Sequence, residues 1–165
     1  MPVFKSFSGM ITAIDNFFTG TASDTGCYQL MSVQNRANRD EGVVNFVVSP
    51  TTYFVDHVML QPGDGVTGFY DANAPVPFIY PPQYRAVVMV PAMHYLNVKV
   101  DYFDENLLSN DGLLKLNLSP RTHVVLENGQ AFRGNPAGRY LIVVYGPTTR
   151  SIPPQTSPEQ IVVMC

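Results

Sequence analysis

A repeated segment constrains the fold of this chain more than any other feature of its sequence. Residues 42–52 and residues 112–122 both read as glycine, six residues typical of a strand, and then Ser-Pro-x-Thr. The two copies have the same length and align without a gap. Because a strand-like run followed by proline and hydroxyl residues is typical of a strand that ends in a turn, each copy predicts a strand and its exit.

Other segments recur in the same order and at nearly the same offset. The matched pairs are 28–33 with 98–103, 34–41 with 104–111, 68–70 with 143–145, 81–83 with 153–155, and 86–89 with 161–164. The small changes in offset indicate short loop insertions, which surface loops tolerate. The sequence therefore predicts an internal duplication. Its first unit covers residues 1–92 with an extra N-terminal strand, and its second, shorter unit covers residues 93–165.

The local patterns predict an all-β protein. No amphipathic helical pattern longer than about ten residues occurs, and short strand-like runs alternate with turns rich in Gly, Pro and Asn. We expect two small β-barrels or sandwiches, with strands shared between the units as the alternative. The predicted elements are an extended segment within residues 3–17, a loop at 19–26, a hairpin of 28–33 with 43–48, its counterpart of 98–103 with 113–118, and a stiff, proline-rich loop at 71–84.

The order of elements over residues 8–90 resembles the OB-type Greek-key barrel of five strands. Gly63-Asp64-Gly65 leads into the predicted strand 66–70 as such barrels often enter their fourth strand. The resemblance implies two OB-like β-barrel units, the second trimmed of its first strand. Such barrels bind oligonucleotides, oligosaccharides or proteins, so fold alone does not select a function. Residues 66–73 with the Pro-Pro-Gln run 81–83 are also similar to an uncharacterised bacterial family with no attached activity.

The charge balance argues against several classes of partner. The chain has 10 Lys and Arg against 13 Asp and Glu, and its net charge is −3. Its basic residues are scattered, whereas binding to nucleic acid or to an anionic membrane needs them clustered. No apolar run approaches the about 18 residues of a membrane span, and the N-terminus lacks a signal-peptide pattern. We expect neither a nucleic acid nor a membrane as partner, and the compartment is left open.

The recurring serines, Ser49 and Ser119, are candidate nucleophiles only at first sight. Each stands in Ser-Pro-x-Thr directly after a predicted strand, where proline sets φ and the hydroxyls bond to nearby backbone groups. No Gly-x-Ser-x-Gly motif occurs. These serines are therefore predicted to stabilise turns, and we expect no enzymatic activity.

Metal, cofactor and disulfide chemistry also lack a sequence pattern. The three histidines and two cysteines show none of the spacings typical of metal sites, so no metal and no cofactor is expected. Two cysteines are too few for a disulfide scaffold, and whether they pair is left open. These residues are His57, His94, His123, Cys27 and Cys165.

The best candidate for binding is the aromatic and proline-rich segment 69–84. Its aromatic side chains combine apolar faces with polar tips, and its prolines lower the entropic cost of ordering. The alternative is that the rings cover the end of the barrel as a small core. The sequence thus predicts a structural or protein-interaction module capable of self-association, with binding of a carbohydrate or small ligand as the alternative. The candidate binding residues are Phe69, Tyr70, Phe78, Tyr80 and Tyr84.

Overall fold

The computed structural model describes residues 1–18, 26–35 and 42–165, and the regular structure in these ranges is almost entirely β-strand. A short 3-10 helix at Val55–His57 is the one helical element in the described part of the chain. The all-β prediction is therefore confirmed. The chain divides into two compact units, Met1–Ala92 and Met93–Cys165.

The described part of the first unit contains seven strands in one sheet. They are β1 (Phe4–Asn16), β2 (Gln29–Gln34), β3 (Val43–Val48), β4 (Tyr53–Phe54), β5 (Gly65–Asp71), β6 (Gln83–Arg85) and β7 (Val88–Pro91). Their order across the sheet is β4-β7-β5-β1-β2-β3-β6.

The long strand β1 pairs with two neighbours. Its first half is antiparallel to β5, from Phe4 opposite Asp71 to Met10 opposite Gly65. From Met10 onward β1 is also antiparallel to β2, with an irregularity in the register between Ile11 and Ala13. Such a bulge bends a strand and increases its twist, so β1 bends just beyond the point where its pairing with β5 ends. The predicted extended N-terminal segment is confirmed, as is the hairpin of β2 with β3.

The expected closed barrel is not formed, because no sheet in the described residues closes on itself. Strands β6 and β7 are separated by only two residues, yet they lie near opposite ends of the sheet. Strand β6 is parallel to β3, and β7 is antiparallel to β5. Between these strands, Ala86 N–H donates to Val47 O at 3.0 Å, and Val87 N–H donates to Phe69 O at 2.8 Å. These two bonds go to different strands, so the strand ladder is interrupted at this point.

The core of the first unit forms around Phe46, whose side chain is fully buried. Strand β5 passes directly over its ring, and a Cβ on Gly68 would lie only 2.5 Å from a ring carbon. Glycine is therefore required at position 68 because the β5 backbone packs closely against the Phe46 ring, and not because the chain turns there. Ile11, Val33 and Met89 are also fully buried in this cluster.

The second unit has six strands in two sheets. They are β8 (Asn97–Phe103), β9 (Lys115–Leu116), β10 (His123–Leu126), β11 (Arg139–Tyr145), β12 (Gln155–Thr156) and β13 (Gln160–Val163). Four of them form a sheet in the order β10-β13-β11-β8, and β9 pairs with β12. A separate core contains Phe103, Leu116, Leu141 and Ile161.

The predicted hairpin of residues 98–103 with 113–118 is wrong in its second strand. Strand β9 covers only Lys115–Leu116, and it is parallel to β12 instead of antiparallel to β8. The cause is a turn held by Asp111, whose Oδ1 accepts the Ser109 hydroxyl at 2.6 Å and Leu113 N–H at 3.0 Å. Its Oδ2 forms an ion pair with Lys99 at 2.6 Å. Burial opposes ionisation of Asp111, but these hydrogen bonds and the Lys99 charge outweigh it and lower its pKa.

The first Ser-Pro-x-Thr segment forms a hydrogen-bonded turn, as predicted. Thr52 N–H donates to Ser49 O at 3.1 Å, and Thr51 N–H donates to Ser49 Oγ at 3.3 Å. The Thr52 hydroxyl donates to Ala86 O at 2.8 Å, which ties the turn to the last part of the unit.

The second Ser-Pro-x-Thr segment makes the same set of bonds. Thr122 N–H donates to Ser119 O at 3.0 Å, and Arg121 N–H donates to Ser119 Oγ at 3.2 Å. The Thr122 hydroxyl donates to Pro158 O at 2.6 Å. Pro158 is thus the structural counterpart of Ala86. The predicted match of residues 86–89 with 161–164 is therefore wrong in its alignment, because the hydrogen bonds fix a different correspondence.

Two predicted connections fall mainly outside the described residues. The loop at 19–26 includes residues 19–25, and the polar connection 34–41 includes residues 36–41. Both predictions stay untested.

Candidate functional site

A groove of about 720 Å³ lies on the first unit. Residues 74–77 of the proline-rich loop line it, together with residues 83–87 and the end of β3. This juxtaposition follows from the parallel pairing of β6 with β3, which places Arg85 opposite Val47. The groove is within the size range of sites that enclose a small molecule or a few side chains.

Two stacked tyrosines line the groove. The rings of Tyr70 and Tyr84 are parallel within 1°, and their centroids are 3.9 Å apart. Burial raises the pKa of the Tyr70 hydroxyl, and the neighbouring Tyr84 hydroxyl raises it further through its charge and a hydrogen bond. Because Tyr70 is on β5 and Tyr84 is on β6, the stack joins two strands and presents a flat, ordered surface.

Polar groups are also present around the groove. The Ser49 and Thr51 hydroxyls are hydrogen-bonded to each other at 2.8 Å. Asp71 Oδ1 accepts the N–H groups of Val3 at 3.1 Å and Asn73 at 2.9 Å, so this carboxylate holds the start of the loop. Arg85 is exposed, and no carboxylate in the described part of the chain forms an ion pair with it.

A row of exposed apolar side chains overlaps and follows groove residues 74–77 along the chain and is here called the ridge. It consists of Val76, Phe78, Ile79 and Tyr80. Phe78 is fully exposed, and Tyr80 is 81% exposed. Ile79 and Val76 are about half exposed, at 53% and 48%. Val76 also lines the groove, so the ridge and the groove are contiguous.

The structure places the five predicted binding residues in three different environments. Phe69 is buried, with 7% of its surface exposed, and belongs to the interior of the first unit. Tyr70 and Tyr84 are half-buried and line the groove. Phe78 and Tyr80 lie on the ridge. Alternation along β5 places Tyr70 on the same face as Phe46 and Phe69 on the opposite face, where Phe69 is also buried.

Sequence reasoning missed the other groove residues. Ser49, Thr51 and Arg85 line the groove, but Ser49 and Thr51 were predicted only as turn residues. Their proximity to residues 83–87 depends on the parallel β3–β6 pairing. The repeated Ser-Pro-x-Thr turn was the one sequence feature that could have pointed to these residues, because the hydroxyl of its last residue, Thr52, donates to Ala86 O beside Arg85.

The remaining candidates for chemistry do not assemble into a site. His57 packs edge-on against Tyr53 at 5.5 Å, and His94 lies 6.4 Å from the ring of Tyr95. Within residues 1–18, 26–35 and 42–165, no group of three or more His, Cys, Asp or Glu side chains could hold a metal ion. Cys27 and Cys165 are exposed, and no disulfide joins them. Among the described residues, no helix is both long and apolar enough to cross a membrane.

Comparison with known proteins gives no family. No protein-family model matches the chain, and no curated protein matches it at a significant level. The similarity of residues 66–83 to a bacterial family therefore stays a prediction.

Proposed function

We propose that the chain is a non-enzymatic protein-interaction module, and that its binding surface is formed by the groove and ridge of the first unit. One observation carries this proposal. The ridge exposes four apolar side chains next to an open groove, with Phe78 fully exposed and Tyr80 81% exposed. Single exposed apolar side chains are ordinary, but a contiguous group of them marks an interaction site.

The composition of this surface fits a protein partner. Aromatic residues and arginine are enriched at the centres of protein interfaces, and Phe78, Tyr80 and Arg85 provide both kinds. The prolines of residues 75–82 restrict the loop before binding, which lowers the entropy lost when a partner orders it.

The absence of enzymatic activity is part of the same proposal. The Ser49 and Thr51 hydroxyls are bonded to each other, and Ser49 Oγ also accepts the Thr51 N–H. None of the described residues that line the groove is His, Lys or Cys. The carboxylate in the lining, Asp71, already accepts the N–H groups of Val3 and Asn73, and we propose that the Ser49 and Thr51 hydroxyls stabilise the turn rather than act as nucleophiles.

We also propose that the two units arose by duplication of an OB-like strand arrangement. The matched turns support this, since both copies make equivalent hydrogen bonds. The parallel pairs support it as well: β3 pairs with β6 from Asn45 and Gln83, and β9 pairs with β12 from Lys115 and Gln155. In this interpretation, the second unit lacks a counterpart of β1, and β8 pairs directly with β11.

A carbohydrate ligand is the second candidate. The observation that favours it is the flat Tyr70–Tyr84 stack beside hydroxyl and guanidinium groups, because sugar rings pack on aromatic faces and bond to such polar groups. A glycan array tests this candidate with the wild-type chain and a Tyr84→Ala variant. Loss of a specific signal in the variant would support a sugar site, and a blank array for the wild type would contradict it.

Site-specific photo-crosslinking tests the interaction module. A photoreactive residue replaces Phe78 on the ridge, or replaces Ile152 in the second unit, and both positions are fully exposed. The variants are expressed in cells that encode the chain, and adducts are identified by mass spectrometry. We expect a discrete protein adduct from position 78 and none from position 152. Equal, diffuse labelling at both positions would refute the proposal.

A further inference from the structure

We propose that the occupant of the groove is the ridge of a second copy of this chain, and that the two copies exchange ridges reciprocally around a twofold axis. This inference rests on the proposed interaction surface and names its partner. Each copy would place Phe78 and its neighbours against the Tyr70–Tyr84 stack of the other copy.

The arrangement on the first unit meets the geometric requirement of a twofold dimer. In such a dimer the same surface serves both partners, so a projecting element and its receptor must lie on one contiguous surface. Val76 belongs to both the ridge and the groove lining. The prolines at positions 75 and 77 also line the groove, so a partner's ridge would pack beside the base of the receiving copy's own ridge.

The groove and the ridge are compatible in size and charge. A groove of about 720 Å³ is within the range that encloses several side chains or a small ligand. Residues 75–82 contain no charged side chain, so the inserted ridge would add no charge to the groove, whose own charged residues are Asp71 and Arg85. The exposed Arg85 guanidinium would face an arriving aromatic ring, which is a favourable cation–π arrangement.

The area that such an exchange buries is sufficient for a stable dimer. An aromatic side chain buries about 150–250 Å², so two rings from each copy would remove about 600–1,000 Å² from water. The groove walls that receive them lose a comparable area. The total reaches the about 1,200–2,000 Å² that is typical of stable protein complexes.

Disulfide trapping between two different variants tests the exchange. Both variants carry Cys27→Ser and Cys165→Ser, because the native thiols are exposed. One variant adds Ile79→Cys on the ridge, which leaves Phe78 and Tyr80 in place, and the other adds Thr51→Cys in the groove. Position 79 is about half exposed, and position 51 is exposed and lines the groove. The two are mixed in a thiol–disulfide buffer, and the disulfide species are separated by mass. The matched control replaces Ile79→Cys with Ile152→Cys, which is an exposed isoleucine position in the second unit.

We expect the ridge–groove heterodisulfide to exceed the control heterodisulfide at least about tenfold, because a specific complex raises the effective thiol concentration. Yields equal to the control would overturn the proposal, as would a mixture dominated by ridge–ridge disulfides of Ile79→Cys. The two proposals fail separately. Lack of trapping together with a discrete adduct to another protein at position 78 rejects the second copy and keeps the interaction module. Lack of trapping together with lack of a discrete adduct at position 78 rejects both proposals.

Discussion

Replacing Phe78 with alanine separates binding from folding. The ring is fully exposed in the isolated chain, so its loss should change the free energy of unfolding by less than about 0.5 kcal/mol. Complete burial of a phenylalanine side chain contributes about 1.5–3 kcal/mol. In a reciprocal dimer both copies lose a ring, so even the lower value predicts about 3 kcal/mol less association free energy. The dimer dissociation constant should therefore increase by at least roughly a hundredfold.

Sedimentation equilibrium over a concentration series measures that constant for the wild type and the variant, and urea unfolding measures stability. The matched control is Ile152→Ala, which also truncates a fully exposed apolar side chain, in the second unit. We expect this control to leave both quantities unchanged. An unaltered dissociation constant for Phe78→Ala would refute the reasoning, as would equal weakening by both substitutions.

Three further predictions concern the groove, the core of the first unit and the Asp111 turn of the second unit. Tyr84→Phe should lower the pKa of Tyr70 while leaving it above the ordinary tyrosine value, because burial is the larger cause of its shift; alkaline titration of tyrosinate absorbance measures this. Gly68→Ala should destabilise the first unit by about 1–3 kcal/mol in urea unfolding, because its Cβ would overlap the Phe46 ring. Asp111→Asn should flatten the loss of stability at acidic pH. The lowered pKa of Asp111 stabilises the fold above its unfolded-state pKa, and this contribution is lost as pH falls through the folded-state pKa. An unchanged Tyr70 titration would contradict the first prediction, and an unchanged urea midpoint would contradict the second. The third would be contradicted if the variant and the wild type lost stability identically at acidic pH.

The hairpin of the first unit could be predicted because local pattern and tertiary structure agree there, whereas β6 (Gln83–Arg85) begins inside the predicted loop 71–84. Residues 28–33 and 43–48 are strand-like and joined by a short connection, and they form the antiparallel pair β2–β3. The hairpin of the second unit failed for a local reason that hydrophobic pattern does not contain. Asp111 accepts hydrogen bonds from Ser109 and Leu113, and the resulting turn restricts β9 to Lys115–Leu116.

The lining of the candidate groove could be predicted only in part, because a groove requires long-range pairings; whether it is a binding site stays a prediction. Composition identified the aromatic loop, and Tyr70, Tyr84, Phe78 and Tyr80 do lie on the groove or the ridge. A run of aromatic residues does not say which rings are covered by the rest of the fold, and Phe69 is buried whereas its neighbour Tyr70 lines the groove.

Local sequence also does not indicate that the turn after β3 lines the same groove as Arg85. That arrangement depends on the parallel pairing of β3 with β6, which joins Asn45 to Gln83 across a long stretch of intervening chain. Pairings of this kind are set by the whole sheet and leave no mark in the pattern of either strand.

Hydrogen exchange of the wild-type chain, at low and at high protein concentration, tests most directly whether ridge and groove form one binding surface. We expect amide protection to rise together in peptides covering residues 76–80 and residues 83–87 as concentration increases. Peptides covering residues 150–152 of the second unit should exchange at the same rate throughout. Protection that increases only outside the ridge and groove, or in one of them without the other, would contradict the account.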